Sequence, residues 1–263
     1  MNILDTIIAA KRIEVAERKE LRSVAQLEQT DGFLRNTYSL AEFLLDESRT
    51  GIIAEFKRRS PSKGVINDRA DVVEVTMAYA ENGASALSVL TDEKFFGGCT
   101  ADLVAARVNN IPILRKDFSI DEYQLVEAKS MGADVILLIA ACLSPLEVHT
   151  LAKTARSLGL EVLLELHDES ELGHVGEFTP IVGINNRNLK TFTVDIERSL
   201  LMASKLPADT IKVAESGIDK VENVHLFREN GFRGFLIGEH FMKTADPAQA
   251  FRNFVTELKT YKK

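Results

Sequence analysis

Cysteine is scarce in this sequence, and long apolar runs are missing. Cys99 and Cys142 are the only cysteines among 263 residues, too few for a disulfide framework and typical of a reducing compartment. The longest apolar run, Val135–Leu143, is far shorter than the roughly 20 residues that span a bilayer. The N-terminus has no basic segment followed by an unbroken apolar stretch, so no secretory signal is indicated. These absences predict a cytoplasmic protein with no membrane partner.

Positive charge is also in deficit, with 32 Lys and Arg residues against 39 Asp and Glu and a net charge of −7. A nucleic-acid binder needs a positive surface to replace phosphate counterions, so this balance argues against nucleic acid as a partner. It leaves room for a local basic pocket that holds one small phosphate. Hydrophobic residues make up 45% of the chain, too many for a disordered protein.

Eight short apolar runs indicate buried strands. Their starts lie on average about 26 residues apart, which is the length of one strand plus one returning helix. Because the runs are apolar on both faces, they favour parallel strands covered by helices. The α/β pattern therefore predicts a (β/α)8 TIM barrel, with a doubly wound open sheet as the alternative; eight units favour closure. The runs are Ile52–Phe56, Ala86–Leu90, Ile113–Arg115, Val135–Ala140, Glu161–Leu166, Ile181–Asn185, Ile211–Ala214 and Gly234–Ile237.

Helix boundary signals separate these runs. Between the fourth and fifth, Ser144 can cap a helix, Pro145 fits its first turn, and Gly159 can adopt the left-handed conformation that ends it. Residues 1–50 come before the first strand and are not a repeat unit, although Asn2–Glu20 is amphipathic. With no long linker in the sequence, we expect one barrel domain over residues 1–263, with residues 1–50 as an N-terminal helical extension over the active-site mouth.

Polar residues stand where several barrel strands should end. In a barrel, inward-facing residues at the carboxyl ends of strands line the active site. Any one of these residues could simply end a strand in solvent, but five such strands predict a shared polar pocket, because a partly buried charge is costly unless it is paired. A mixture of Lys and Glu also suits acid–base chemistry. These residues are Glu55 and Lys57, Arg115 and Lys116, Glu165, Asn185 with Arg187, and Glu215.

Small residues after the last two strands indicate a phosphate site. Ser216-Gly217 and Gly238-Glu239 would let backbone N–H groups approach a phosphate at the two loops that commonly hold one in barrels. The loop that begins at Ser60, with Lys63, would supply further hydroxyls and a cation.

The remaining candidates carry weaker signals. The five histidines show no metal-site spacing with the cysteines, so surface or capping roles are favoured and no metal is expected. His167 falls in a loop whose next residue, Asp168, can cap a helix. Cys142 is expected to pack rather than to react, and Gly97-Gly98 lacks the pattern of a dinucleotide-binding loop.

Taken with their order along the chain, these motifs closely resemble the indole-3-glycerol phosphate synthase family of tryptophan biosynthesis. The resemblance runs nearly end to end, and its most specific elements are Glu-x-Lys-x-x-Ser-Pro-Ser and Asn-x-Arg-x-Leu. The matching segments are Ile3–Asp5, Lys11–Lys19, Ile53–Gly64, Leu87–Asp92, Leu114–Phe118, Gly183–Leu189, Ala214–Ile218 and Phe235–Gly238.

The resemblance implies a barrel that closes the ring of 1-(o-carboxyphenylamino)-1-deoxyribulose 5-phosphate, with loss of CO2 and water and without a cofactor. It implies Lys116 as the acid for closure, Glu165 and Lys57 in later proton transfers, and Glu55 and Asn185 as orienting groups. It further implies that this phosphosugar substrate contacts the residues Ser60, Phe118, Arg187, Leu189, Glu215, Ser216, Gly217, Gly238 and Glu239. Many members have Ser at the position of Glu239, so a hydroxyl contact to phosphate would be missing here. We expect a monomer or weak homo-oligomer.

Other functions fit parts of the pattern. A class I aldolase would use Lys116 or Lys57 to form a Schiff base with a sugar phosphate. A different phosphate-binding barrel, such as phosphoribosylanthranilate isomerase, would share the phosphate loops. A non-catalytic ligand-binding barrel would not need these Lys and Glu side chains at the carboxyl ends of its strands.

Overall fold

Eight parallel strands close into a barrel in the computed structural model, which describes residues 3–188 and 193–261. Around the barrel the order is β1-β10-β9-β8-β7-β6-β5-β4, while β2 and β3 form a small antiparallel hairpin after β1. The eight predicted runs are confirmed as barrel strands. The strands are β1 (Ile52–Phe56), β2 (Arg59–Ser60), β3 (Gly64–Val65), β4 (Ala86–Leu90), β5 (Ile113–Lys116), β6 (Val135–Ile139), β7 (Glu161–Leu166), β8 (Ile181–Asn185), β9 (Ile211–Glu215) and β10 (Phe232–Ile237).

Helices connect the strands and cover the outside of the barrel. The boundary signals are confirmed in α9: Ser144 Oγ accepts a hydrogen bond from the Glu147 N–H, Pro145 is the first helical residue, and Gly159 has a positive φ of 76°. Two 3-10 helices, Ala140–Cys142 and Glu169–His174, follow β6 and β7. The α-helices are α1 (Ile3–Leu21), α2 (Val24–Leu27), α3 (Asp31–Leu34), α4 (Leu40–Leu45), α5 (Val72–Glu81), α6 (Glu93–Phe96), α7 (Thr100–Ala106), α8 (Glu122–Ser130), α9 (Pro145–Ser157), α10 (Ile196–Ala203), α11 (Val221–Glu229), α12 (Glu239–Met242) and α13 (Pro247–Thr260). None of the helices in the described part of the chain is long and apolar enough to cross a membrane.

Strand side chains alternate between two apolar layers. Ile113 and Leu164 belong to the outer layer, which packs strands against helices, whereas Leu114 and Leu163 belong to the layer that fills the barrel. Since side chains two residues apart share a face, Lys116 and Glu165 continue the inward-facing rows at the carboxyl ends of β5 and β7. The apolar filling thus gives way to polar residues at one end of the barrel.

The segment before β1 reaches both ends of the barrel. Ile3, Leu4 and Ile7 of α1 line the same cavity as Lys116 and Glu165, at the carboxyl ends of the strands. The other end holds α4: the Ala41 N–H donates to Glu161, the first residue of β7. The expected position of residues 1–50 over the mouth is therefore wrong for α4. Leu40 and Leu44 pack into the barrel filling instead, because that end of the barrel exposes apolar side chains that need covering.

A buried lysine ties α1 to the strand that carries Lys116. Lys11 is 1% exposed, and its Nζ lies 2.8 Å from Asp117 Oδ1 and 3.0 Å from Asp92 Oδ2. Burial alone would raise the pKa of Asp117, but the Arg115 guanidinium and the Lys11 ammonium hold that pKa well below its usual range. The pair thus remains ionised in the interior, where each charge depends on its partner.

Replacing Lys11 with Met should lower the free energy of unfolding by about 3 kcal/mol, because it leaves buried carboxylates without their cation. The matched control is Lys19→Met in the same helix, where an exposed lysine lies 2.7 Å from Asp121. That change should cost at most about 1 kcal/mol. Urea denaturation followed by circular dichroism measures both, and equal effects of the two substitutions would contradict the prediction.

Candidate active site

The carboxyl ends of five barrel strands bring six polar side chains to one cavity. Glu55 belongs to β1, Lys116 to β5, Glu165 to β7, Asn185 to β8 and Glu215 to β9, and Lys57 follows β1 directly. All six line a cavity whose wall also includes the start of α1. Parallel strands in a closed barrel place their carboxyl ends on one rim, so residues distant in sequence meet there.

Lys116 is the central cation of this cluster. Its Nζ lies 3.0 Å from Glu165 Oε2 and 3.9 Å from Glu215 Oε2. Asn185 Nδ2 donates to the other Glu165 oxygen at 2.9 Å. A second pair stands across the cavity, where Lys57 Nζ lies 2.6 Å from Glu55 Oε1. The site therefore holds two ammonium–carboxylate pairs and one further carboxyl group, that of Glu215.

The surroundings separate the protonation states of the two carboxyl groups beside Lys116. Burial would raise the pKa of Glu165, but the Lys116 ammonium, the adjacent His167 ring and a hydrogen bond from Asn185 hold it well below its usual range. Burial raises the pKa of Glu215 well above its usual range, and the nearby Glu165 carboxylate raises it further. Burial alone would lower the pKa of Lys116, but Glu165, Glu215 and Glu55 together raise it. The opposed shifts make Glu165 the better proton acceptor of the two carboxyl groups and Glu215 the better donor.

Two glycines make room for these carboxyl groups. A Cβ on Gly183 would lie 1.9 Å from Glu215 Oε1, and a Cβ on Gly238 would lie 2.6 Å from Glu55 Oε1. Any side chain at either position would displace a carboxyl group of the cluster. Gly238 thus has a packing role in addition to its predicted place in a phosphate-binding loop.

The predicted phosphate residues surround an adjoining cavity. Ser216, Gly217, Gly238 and Glu239 line it together with Lys57 and Arg187. Ser216 and Gly217 have positive φ angles of 67° and 68°. Gly217 also touches Val194 so closely that a Cβ there would lie 2.5 Å from Val194 Cγ1.

Glu239 forms ion pairs with two cations at this cavity. Its carboxylate oxygens lie 3.5 Å from Lys63 Nζ and 3.4 Å from an Arg187 guanidinium nitrogen. Glu239, which stands where the family resemblance leads us to expect Ser, thus pairs with the positive groups that a bound phosphate would contact.

The opposite side of the main cavity is apolar. Phe118 lies beside Phe96, with their ring centroids 5.9 Å apart. Ser60, Leu90, Ile139 and residues of α1 complete this wall. Ser60 lines the main cavity but not the adjoining one, whereas Lys63 of the same loop pairs with Glu239, which lines both. Leu189, the remaining predicted contact, lies outside the described residues.

The predicted surface or capping role of His167 is wrong. The capping role belongs to Asp168, which caps the 3-10 helix Glu169–His174. His167 is 8% exposed, lines the cavity, and places Nε2 2.9 Å from Glu165 Oε1. The signal was available in the sequence, because His167 follows Glu165 by two residues and so lies on the same face of the chain.

Cys142 packs against both apolar layers, and burial raises the pKa of its thiol to about 12, as the packing interpretation requires. Within residues 3–188 and 193–261, no group of three or more His, Cys, Asp or Glu side chains has the arrangement of a metal site.

Comparison with solved structures identifies the same architecture. The tryptophan synthase α2β2 complex from Pyrococcus furiosus contains a chain that superposes with a TM-score of 0.61 at 15% sequence identity, covering 81% of this chain and 99% of that one. A mutant tryptophan synthase α-subunit from the same organism matches with a TM-score of 0.61 at 17% identity and the same coverage. At this identity the likeness shows the barrel fold alone.

Sequence comparison is more specific. The indole-3-glycerol phosphate synthase of Bacteroides thetaiotaomicron is 50% identical over 258 residues, which are 98% of this chain and 99% of that protein. The enzyme of the same name from Bordetella pertussis is 43% identical, covering 94% of this chain and 96% of that one. The indole-3-glycerol phosphate synthase family model matches residues 4–254. Together with the cavity described above, these matches show that the chain belongs to the indole-3-glycerol phosphate synthase family.

Proposed function

We propose that this chain converts 1-(o-carboxyphenylamino)-1-deoxyribulose 5-phosphate into indole-3-glycerol phosphate, CO2 and water. The observation that carries the proposal is Lys116, an ammonium held between two carboxyl groups in a cavity with an apolar wall on one side and phosphate-suited loops on the other. The substrate has the same order of parts: an aryl ring, a ketose chain and a phosphate.

The cavity supports one orientation of that substrate. The aryl ring would lie against Phe118 and the apolar residues of α1, and the phosphate would lie by Ser216, Gly217, Gly238 and Glu239. The ketone would then face Lys116. Arg187 lines both cavities and is available to the phosphate or to the substrate carboxylate.

Ring closure needs an acid at the ketone oxygen while an aryl carbon attacks the carbonyl carbon. Lys116 supplies it, because its neighbours keep the amine protonated. Loss of CO2 then restores the aryl ring, and dehydration completes the indole. In dehydration, one group protonates the leaving hydroxyl while another removes a proton from the adjacent carbon. We assign removal of the proton to Glu165, whose pKa is lowered, and protonation of the hydroxyl to Lys57, while Glu55 and Asn185 orient the reacting chain and Glu215 binds a hydroxyl.

The charge state of Lys116 argues against the aldolase alternative. A Schiff base requires a neutral amine as nucleophile, and enzymes that use one lower the pKa of the lysine. Here the surrounding carboxyl groups raise the pKa of Lys116. Incubating the chain with the ketose phosphate and borohydride separates the alternatives: trapping of the substrate on lysine supports an aldolase, and formation of a fluorescent indole without trapping supports the synthase.

Replacing Lys116 with Met should lower kcat at least ~100-fold, or about 2.7 kcal/mol, because the aliphatic stem remains but the proton and charge are lost. KM should change much less, since the phosphate and aryl contacts remain. Steady-state kinetics monitored by indole fluorescence measure both constants. The control is Lys153→Met, an exposed lysine on α9. Activity of the Lys116 variant within a few-fold of the parent would remove Lys116 as the acid and point to Lys57.

Replacing Glu239 with Gln should tighten the binding of inorganic phosphate by up to about fivefold. The change removes a negative charge and frees Lys63 and Arg187, and partly exposed ion pairs with distances of 3.4–3.5 Å contribute about 1 kcal/mol at most. NMR titration that follows the amides of Ser216, Gly217 and Gly238 measures the dissociation constant. Glu177→Gln, in an exposed pair with Arg156, is the control. Unshifted amides in the parent protein would show that phosphate does not bind at these loops.

A further inference from the structure

Glu165 is held by three side chains from three different strands or their ends. Its Oε2 faces Lys116 Nζ at 3.0 Å, and its Oε1 lies 2.9 Å from both Asn185 Nδ2 and His167 Nε2. A carboxylate with partners on both oxygens has one preferred rotation of its plane. The Asn185 contact is a hydrogen bond, whereas His167 Nε2 lies at ion-pair distance from Oε1 without the alignment of a hydrogen bond.

His167 is itself fixed in place. Its backbone N–H donates to Glu171 Oε2 at 2.6 Å, and the following residue, Asp168, caps the 3-10 helix that contains Glu171. The backbone that carries the imidazole is therefore held by a capped turn directly after β7.

His174, a second histidine of the same turn, shows what a purely structural role looks like. Both of its ring nitrogens lie at hydrogen-bonding distance from backbone carbonyls, Nδ1 2.8 Å from that of Glu171 and Nε2 2.9 Å from that of Leu143. Neither nitrogen is directed at a side chain of the active site. His167 differs because its contact is a carboxylate of the reaction cluster.

We infer that His167 is a positioning residue, which holds Glu165 in the orientation and ionised state that its proton transfers require. This inference rests on the proposed function, because it assigns His167 a task only if Glu165 acts on the substrate. In this role His167 does not touch the reacting atoms, and it affects the reaction only through Glu165.

The contact has a consequence for pH dependence. The charged and titratable groups around the pair are Lys116 from β5, Glu215 from β9, Glu171 from the turn and Cys142 beyond β6. The His167 ring 2.9 Å from Glu165 Oε1 lowers the pKa of that carboxyl group, so loss of this contact should raise the pKa of Glu165. Since Glu165 accepts a proton only when ionised, the acidic limb of the kcat profile should then move to higher pH.

Two polar substitutions of similar shape test the inference. The amide nitrogen of Gln can take the place of Nε2, whereas that of Asn falls short of Glu165. We expect His167→Asn to lower kcat about tenfold, as for the loss of one close polar contact to a charged group, with KM changed less than about threefold. Its acidic limb should shift to higher pH, and His167→Gln should restore most of both properties. His174→Asn, the control, should lower thermal stability without moving the limb.

The outcomes separate this inference from the proposed function. If the parent chain forms no indole product from the carboxyphenylamino ketose phosphate, the proposed function fails and the inference with it. If the parent is active but His167→Asn keeps its kcat and its pH limb, only the inference fails. A Gln variant as impaired as the Asn variant, with both folded by circular dichroism, also overturns it, because the imidazole would then be needed for itself.

Discussion

A single ammonium group, that of Lys116, sets the charge of the whole active site. Three carboxyl groups, those of Glu55, Glu165 and Glu215, raise its pKa at the polar end of the barrel, and the interior cannot hold that many negative charges unpaired. Lys116 lies closer to Glu165 than to Glu215; it lowers the pKa of Glu165, while burial and the Glu165 carboxylate raise the pKa of Glu215. The opposite pKa shifts of the two carboxyl groups therefore reflect their burial together with their distances of 3.0 and 3.9 Å from Lys116.

The strand that carries Lys116 has ion pairs on both of its faces. Lys116 points into the barrel, while its neighbours Arg115 and Asp117 pair on the outer side with Glu127 and Lys11. The outer pairs connect α8 and α1 to β5. Because successive strand residues point in opposite directions, one extended segment fixes Lys116 inside the barrel and binds α1 and α8 on its outer side.

The fold was predictable because the barrel strands are encoded locally by apolar runs and several helix ends by signals such as Ser144 and Gly159, although some strand ends differ from the runs by one or two residues. The inward residues of the site followed from the same alternation. The position of α4 did not, since an apolar helix face shows that the helix packs but not at which end of a barrel. The opposite protonation of Glu165 and Glu215, and the pairing of Glu239 with cations, depend on distances across the barrel that no sequence spacing reports. Side-chain alternation places His167 on the same face as Glu165, but its position in a loop indicated a surface or capping role instead.

The placement of α4 affects the order in which the chain can fold. Leu44 approaches Gly234 of β10, a residue about 190 positions later in the chain. During synthesis, α4 therefore leaves the ribosome long before that partner strand exists. Its apolar face must wait, exposed or in transient contacts, until β10 completes the barrel. The contact between α4 and β10 is then among the last to form. The closed barrel, rather than any early fragment, is therefore the first species in which α4 is fully buried.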